Sequence, residues 1–172
     1  MNQNKHTIFL LVANKHGVLT RISGLFAKRA YNIDNLSVGR TDDPEISRMT
    51  VVVECGEALV EQIVQQLRKL VDVIAAEAAD PQNTVERELL LVKIKNCADT
   101  GGQLTEAVNI FRGRVVDMTP DSLIVEITGE EDKLNAFINY VQKFGVVELS
   151  RTGVTALERG KTALAERSES WT

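Results

Sequence analysis

The chain is poor in the side chains from which catalytic and metal centres are most often built. Its 172 residues include two cysteines and two histidines, and aromatic residues make up 5%. Cys55 and Cys97 stand far apart, outside any CxxC or Cys/His spacing, so neither a zinc site nor a redox pair can be read from them. Both read as reduced, buried, small hydrophobes, which suits a cytoplasmic protein. His6 and His16 have no serine, cysteine or carboxylate at the spacing of a catalytic triad or a metal site, and His16 reads as a loop residue. Glycines in SVGRTDD and FRGR do not make a phosphate loop, because the GxxxxGK pattern followed by Ser or Thr is absent. Long apolar runs are missing too. The N-terminal stretch MNQNKHTIFLLVAN turns polar at Asn14, too soon to cross a bilayer, and carries no small-residue cleavage site, so no membrane association or export is expected. A nucleic-acid surface is disfavoured as well: the formal charge is -4 and the pI near 5.3, with 20 Lys and Arg interleaved among 24 Asp and Glu, whereas such a surface needs a clustered basic stripe.

What the chain does have is 44% apolar content, ordinary for a globular protein with a core, set out in clear periods. HTIFLLVA at 6–13 is a short, β-prone apolar run that reads as a buried strand. In VLTRISGLFAKR, Val18, Ile22, Leu25 and Phe26 fall on one helical face. IDNLSVGR reads as a second strand and TDDPE as a turn. In ISRMTVVVEC, Met49, Val51 and Val53 alternate with Thr50, Val52 and Glu54 as a third strand would. Leu59, Val60, Ile63, Leu67 and Leu70 carry a second helix through EALVEQIVQQLRKL, and VDVIAAEA supplies a fourth strand. ADPQNT has the composition of a linker, after which the same order returns in VERELLLVKIKN, QLTEAVNIFRG, RVVDMT, SLIVEITG, EDKLNAFINYVQKFG and VVELSRTG.

Each half therefore fits the split βαβ plan, two helices on one face of a four-stranded antiparallel sheet. The fold class is α+β: two tandem ferredoxin-like βαββαβ domains, at 1–79 and 85–160, with a linker at 80–84 and a polar, frayed tail at 161–172. A half of roughly 75 residues with one sheet face covered has a thin core. The other face needs water or a partner, so dimerisation is expected.

One short stretch, ANKHGVLTRISGLFAKRAYNI, raises a chemical question. If the first helix starts near Val18, the amides of Gly17, Val18 and Leu19 lack intrahelical partners and face outward, where a carboxylate would accept them. The helix dipole would add roughly 0.3–1 kcal/mol to an anion held there. Gly17 admits close approach to the backbone, and the Asn14 amide can serve either end of an amino acid. Asn32, past the helix, offers a second carbonyl to an ammonium. The plainer alternative is that Asn14 and Gly17 shape a turn and Asn32 ends a helix. Asp42 and Asp43, beside Pro44 and without a third ligand, read as a solvated turn. DTGG at 99–102 matches the Asp-Thr-Gly of aspartic proteases in letters alone, since its flanks are polar and run into a helix.

The string NKHGVLTRISGLFAKRAYNIDNLSVGRTDDPEISRMTVVV, followed by QLRKLVDV, VERELLLVKIK and IFRGRVVDMTPDSLIVEITG, resembles the small regulatory subunit of acetolactate synthase, also called acetohydroxyacid synthase. The likeness spans nearly the whole chain. It implies an N-terminal ACT domain of βαββαβ form, a second ferredoxin-like domain, and a homodimer whose ACT sheets join side by side. It implies a branched-chain amino acid, chiefly valine, bound at that interface as feedback inhibitor. Carried over, Asn14 and the backbone of Gly17, Val18 and Leu19 hold the ligand from one subunit, while Asn32 and Ile33 contact it from the other. Val18 and Ile33 would line a slot for the isopropyl group. One methylene is worth about 1–3 kcal/mol in such a pocket, so valine and isoleucine would compete.

The family further implies a non-catalytic subunit that binds no cofactor itself. Its partner is the large catalytic subunit, which carries thiamine diphosphate, Mg and FAD and which the small subunit activates. His16 stands where the family usually has Pro or Ser, Ala30 where it has Gly, and Ala13 in place of a frequent Glu; these departures bear on the effector, not on the family. A free-standing ACT-type amino-acid sensor is the alternative. An enzyme acting alone is the weakest reading, for want of an acid, base or nucleophile cluster.

Overall fold

The computed structural model describes residues 4–96 and 101–168; Cys97 and the Asp-Thr pair of DTGG lie outside them. Its elements run β1 (Asn4–Ala13), α1 (Val18–Lys28), β2 (Ile33–Arg40), β3 (Ile46–Cys55), α2 (Glu57–Leu67) and β4 (Val73–Ala78). The order repeats as β5 (Thr84–Lys95), α3 (Gly101–Ile110), β6 (Arg114–Met118), β7 (Ser122–Gly129), α4 (Glu131–Val141) and β8 (Val146–Arg151), and then β9 (Thr155–Glu158) and α5 (Leu164–Ser168) follow. The βαββαβ order thus occurs twice. The first sheet has strand order β2-β3-β1-β4, and the second the matching order β6-β7-β5-β8, all of these neighbours antiparallel. No helix among the described residues is long and apolar enough to cross a membrane.

The chain divides into two compact units, one reaching to Val85 and joined by the segment from Val154 onward, the other Glu86–Gly153. This differs from the expected second domain at 85–160 and tail at 161–172. Past Gly153, which turns with φ 81°, the chain returns to the first unit, and its last described residues form α5 with Leu164 only 9% exposed.

Period decides the cores. In the first unit, Ile8, Leu10 and Val12 of β1 and Met49, Val51 and Val53 of β3 meet Val18, Ile22 and Phe26 of α1 and Val60, Ile63, Val64 and Leu67 of α2. Cys55 is buried in the same cluster, and burial raises its thiol pKa, as fits a small hydrophobe. In the second unit, Leu90, Val92 and Ile94 meet Leu104, Val108, Leu134 and Phe137.

The opposite face of the first sheet carries the odd-numbered β1 side chains. Phe9, Leu11 and Ala75 pack there against Ala156 and Leu164. The returning segment is tied on by polar contacts: Val154 N–H donates to Asn35 Oδ1 at 2.9 Å, Ser37 Oγ to Val154 O at 2.7 Å, and Arg48 Nη2 to Ala156 O at 3.2 Å. This strap covers a face expected to need water or a partner. It also explains why Thr50 and Val52, on the outer side of β3, are as buried as the core residues between them.

Candidate functional site

The site begins where β1 ends. Gly17 precedes α1 with φ 83° and ψ -5°, a left-handed conformation with no side-chain cap bonded to the helix start. A Cβ there would meet nothing within 4 Å, so glycine is favoured by its backbone angle alone, and the space in front of it is open. Val18 N–H closes a long turn bond to Lys15 O at 3.4 Å. The amides of Gly17 and Leu19 have no partner among the described residues. Two free donors at a helix start, reinforced by the helix dipole, make an anion-accepting surface.

Asn14 is more committed than its sequence suggests. Its Nδ2 donates to Pro44 O at 2.7 Å, and its backbone N–H to Glu45 O at 2.7 Å. A carbonyl accepts only, so the amide must turn its nitrogen toward Pro44, which leaves Oδ1 as an outward acceptor. Asn14 thereby keeps one acceptor, Oδ1, and the second hydrogen of Nδ2 for a ligand. Pro44 and Glu45 are the residues sequence reasoning missed here: TDDPE is a turn, held by Glu45 N–H on Asp43 Oδ1 at 2.8 Å, and it also orients Asn14. Nothing in the local pattern signals a contact that spans 30 residues.

Val18 does not line an apolar slot as expected. Its side chain is 4% exposed and belongs to the helix-side core, because the first residue of an amphipathic helix on this register points inward. Only its backbone faces the site. Leu19 is the exposed apolar side chain at this end, at 48%.

Asn32 and Ile33 stand at the far end of α1. The helix of 11 residues separates the two groups by about 16 Å at 1.5 Å per residue. Asn32 is exposed, on the rim of an open groove of about 710 Å³ lined also by Tyr31, Val53, Cys55, Gly56 and Leu59. Ile33 packs partly against the core. The structure therefore brings Asn14, Gly17, Val18 and Leu19 together, and Asn32 with Ile33, but not the two sets with each other. Ile33 opens β2, which is an edge strand.

What positions Asn32 is a Schellman closure of α1. Tyr31 N–H donates to Phe26 O at 3.0 Å and Ala30 N–H to Ala27 O at 3.2 Å. The Phe26 and Tyr31 rings meet edge-on at 6.2 Å, the apolar contact that usually accompanies this cap. Ala30 occupies the left-handed position, at φ 55°. Arg112, at φ 53°, does the same after α3, where Gly113 N–H reaches Val108 O at 2.7 Å. Alanine is strained at such a position, so Ala30→Gly is expected to stabilise the chain by about 1 kcal/mol. A higher urea midpoint at unchanged slope would show it, and a lower midpoint would contradict it.

Residues 8–75 match a family model described as an AHAS small subunit-like ACT domain, and residues 87–160 match one described as the small subunit of acetolactate synthase. The chain is 47% identical over 156 residues to a probable acetolactate synthase small subunit of Archaeoglobus fulgidus, an alignment covering 91% of this chain and 98% of that one. The chain belongs to the acetolactate synthase small-subunit family. A second relative of that family, the acetolactate synthase small subunit of Mycolicibacterium smegmatis, is 44% identical over 155 residues, covering 90% of this chain and 91% of the other. The crystal structure of the small subunit from Thermotoga maritima superposes with a TM-score of 0.87 at 37% identity, covering 92% of this chain and 99% of that one. Among the described residues, no group of three or more His, Cys, Asp or Glu is placed to hold a metal ion.

Proposed function

We propose that this chain is the regulatory subunit of a cytoplasmic acetolactate synthase in branched-chain amino acid biosynthesis. It has no catalytic centre of its own. It binds the large catalytic subunit, which holds thiamine diphosphate, Mg and FAD, raises its activity and makes it sensitive to valine. The observation that carries this reading is the division of the site between the two ends of α1. One end offers free amides at Gly17 and Leu19 and the acceptor of Asn14; the other offers Asn32 and Ile33 beside an unpaired strand edge. Two chains paired through β2 would bring one end of each to the other, and the two together suit a zwitterion with an apolar side chain. Asn14 Oδ1 and the Asn32 side chain take the ammonium, the helix start takes the carboxylate, and Leu19 and Ile33 flank the isopropyl group.

Such a ligand acts by linkage. It inhibits only if it binds the inhibitory arrangement of the complex more tightly than the active one, and a site bridging two chains senses their relative placement directly. The test is reconstitution with the large subunit. Copurification, a higher rate of acetolactate formation, and loss of that rate on adding valine are the expected results. A chain that binds valine yet neither retains nor activates the large subunit would instead be a free-standing amino-acid sensor.

A further inference from the structure

The strand β2 changes register just after Ile33. Beyond that point its ladder with β3 is regular: Ser37 pairs with Thr50, Leu36 with Val51 and Asn35 with Val52. The next pair on β3, Val53, takes Ile33 rather than Asp34, so Asp34 is left over between two consecutive pairs. This is a β-bulge. Strand alternation alone would put Ile33 on the face of Asn35 and Ser37, the outer face beneath the returning segment. The extra residue turns it over, because residues opposed across an antiparallel ladder share a face and Val53 belongs to the helix-side core. Ile33 accordingly packs against that core.

Two contacts hold the bulge, both from the outer face. Lys5 Nζ meets Asp34 Oδ2 at 3.1 Å, a partly exposed pair that contributes little by itself. Asn35 is half-buried, and its Oδ1 accepts from Val154 N–H at 2.9 Å. Ser37 Oγ donates to Val154 O at 2.7 Å, so the backbone of Val154 is bonded to β2 through both its N–H and its carbonyl.

We propose that Asn35 is a positioning residue of the effector site: clasped by Val154, it selects the bulged register over the regular one and so aims Ile33 at the ligand. This role presupposes the effector reading given above. A regular register carries Ile33 to the other face of the sheet, since a one-residue slip reverses every side chain it reaches. A chain whose competent register is only partly populated binds with its affinity reduced by that fraction. The valine affinity thus depends on a segment 119 positions further along the chain.

Asn35→Ala removes the acceptor, and Asn35→Asp keeps one. Valine is titrated calorimetrically into the full chain and into both variants, while the Ile33 δ1 methyl signal is followed by NMR. Asn35→Ala is expected to bind valine about tenfold more weakly, the size of effect that one lost hydrogen bond at the bulge allows. Its Ile33 methyl signal should shift from that of the unmodified chain and return at saturating valine, a reversal that a mere loss of stability would not produce. Asn35→Asp should bind as the unmodified chain does. Undiminished affinity in a folded Asn35→Ala chain would overturn the proposal, as would an unmoved Ile33 methyl or an equal loss in Asn35→Asp. An unmodified chain that does not bind valine fails the effector reading itself, a different result, and the positioning role falls with it. Should Asn35→Ala not fold, Val154→Pro removes the donor instead and leaves β2 intact. It is expected to show the same loss and the same methyl shift, and full affinity there would equally overturn the proposal.

Discussion

Aspartate in place of Gly17 is expected to weaken valine binding by at least about a hundredfold while the chain still folds, binds the catalytic subunit and activates it. The backbone tolerates the change. A Cβ at Gly17 meets no atom within 4 Å, and aspartate accepts the left-handed region better than most residues, so the strain at φ 83° costs on the order of 1 kcal/mol. The ligand does not tolerate it. The new carboxylate stands at the helix start, where the proposed site receives the carboxylate of valine. Two like charges about 4 Å apart repel by about 4 kcal/mol at an effective dielectric near 20, more than the 2.7 kcal/mol or so that a hundredfold represents. Calorimetry with valine and activation assays on the same preparation check it. Loss of activation together with unchanged inhibition of the residual rate would contradict the proposed role.

The second large effect lies in the other unit. Glu88→Ala is expected to destabilise it by about 3–5 kcal/mol, the cost of stripping one partner from a buried ion pair. Glu88 is 5% exposed. Its carboxylate takes a forked contact from Arg151, Nε to Oε1 at 2.8 Å and Nη2 to Oε2 at 2.5 Å, while Arg151 Nη1 donates to Asn135 Oδ1 at 2.9 Å. The pair joins β5, β8 and α4 and closes the second sheet where the strands end. Each kcal/mol shifts the midpoint of a unit this size by about 4–8 °C, so a thermal melt resolves the loss easily. Replacing both residues by methionine should restore most of the stability, since a buried pair exchanged for apolar side chains of similar volume is often neutral. A double variant no better than the single one would mean that packing around Glu88, not the pair, sets the cost.

Those elements whose apolar residues recur at a fixed period were legible in the sequence. Val18, Ile22 and Phe26 of α1, and Val60, Ile63 and Leu67 of α2, are buried as their spacing predicts. Both sheets follow from alternation along β1, β3, β5 and β7. The strap was not legible. Thr155–Glu158 is four residues long, too short for a period, and what fixes it are single contacts to Asn35, Ser37 and Arg48 more than a hundred positions away. Of the candidate site, the backbone frame was legible: the glycine before α1 and the asparagine after it stand at the two ends of that helix. Its side-chain roles were not, because the orientation of the Asn14 amide depends on the Pro44 carbonyl and the burial of Val18 depends on the rotational setting of α1. The left-handed turn at Ala30 was hidden for another reason, since alanine there is held by the Schellman hydrogen bonds and the Phe26–Tyr31 contact against its own preference.

The proposed division of one valine site between two chains is tested most directly by mixing. Gly17→Asp chains lack one half of the site and Asn32→Lys chains the other, so neither homodimer should bind valine. After subunit exchange, each mixed dimer should regain a single intact site, built from the unaltered Asn14–Leu19 segment of one chain and the unaltered Asn32 and Ile33 of the other, and calorimetry should recover one valine per mixed dimer at the original affinity. If exchange is complete and no binding returns, the two ends of α1 do not meet across a dimer, and the site must lie within one chain or elsewhere.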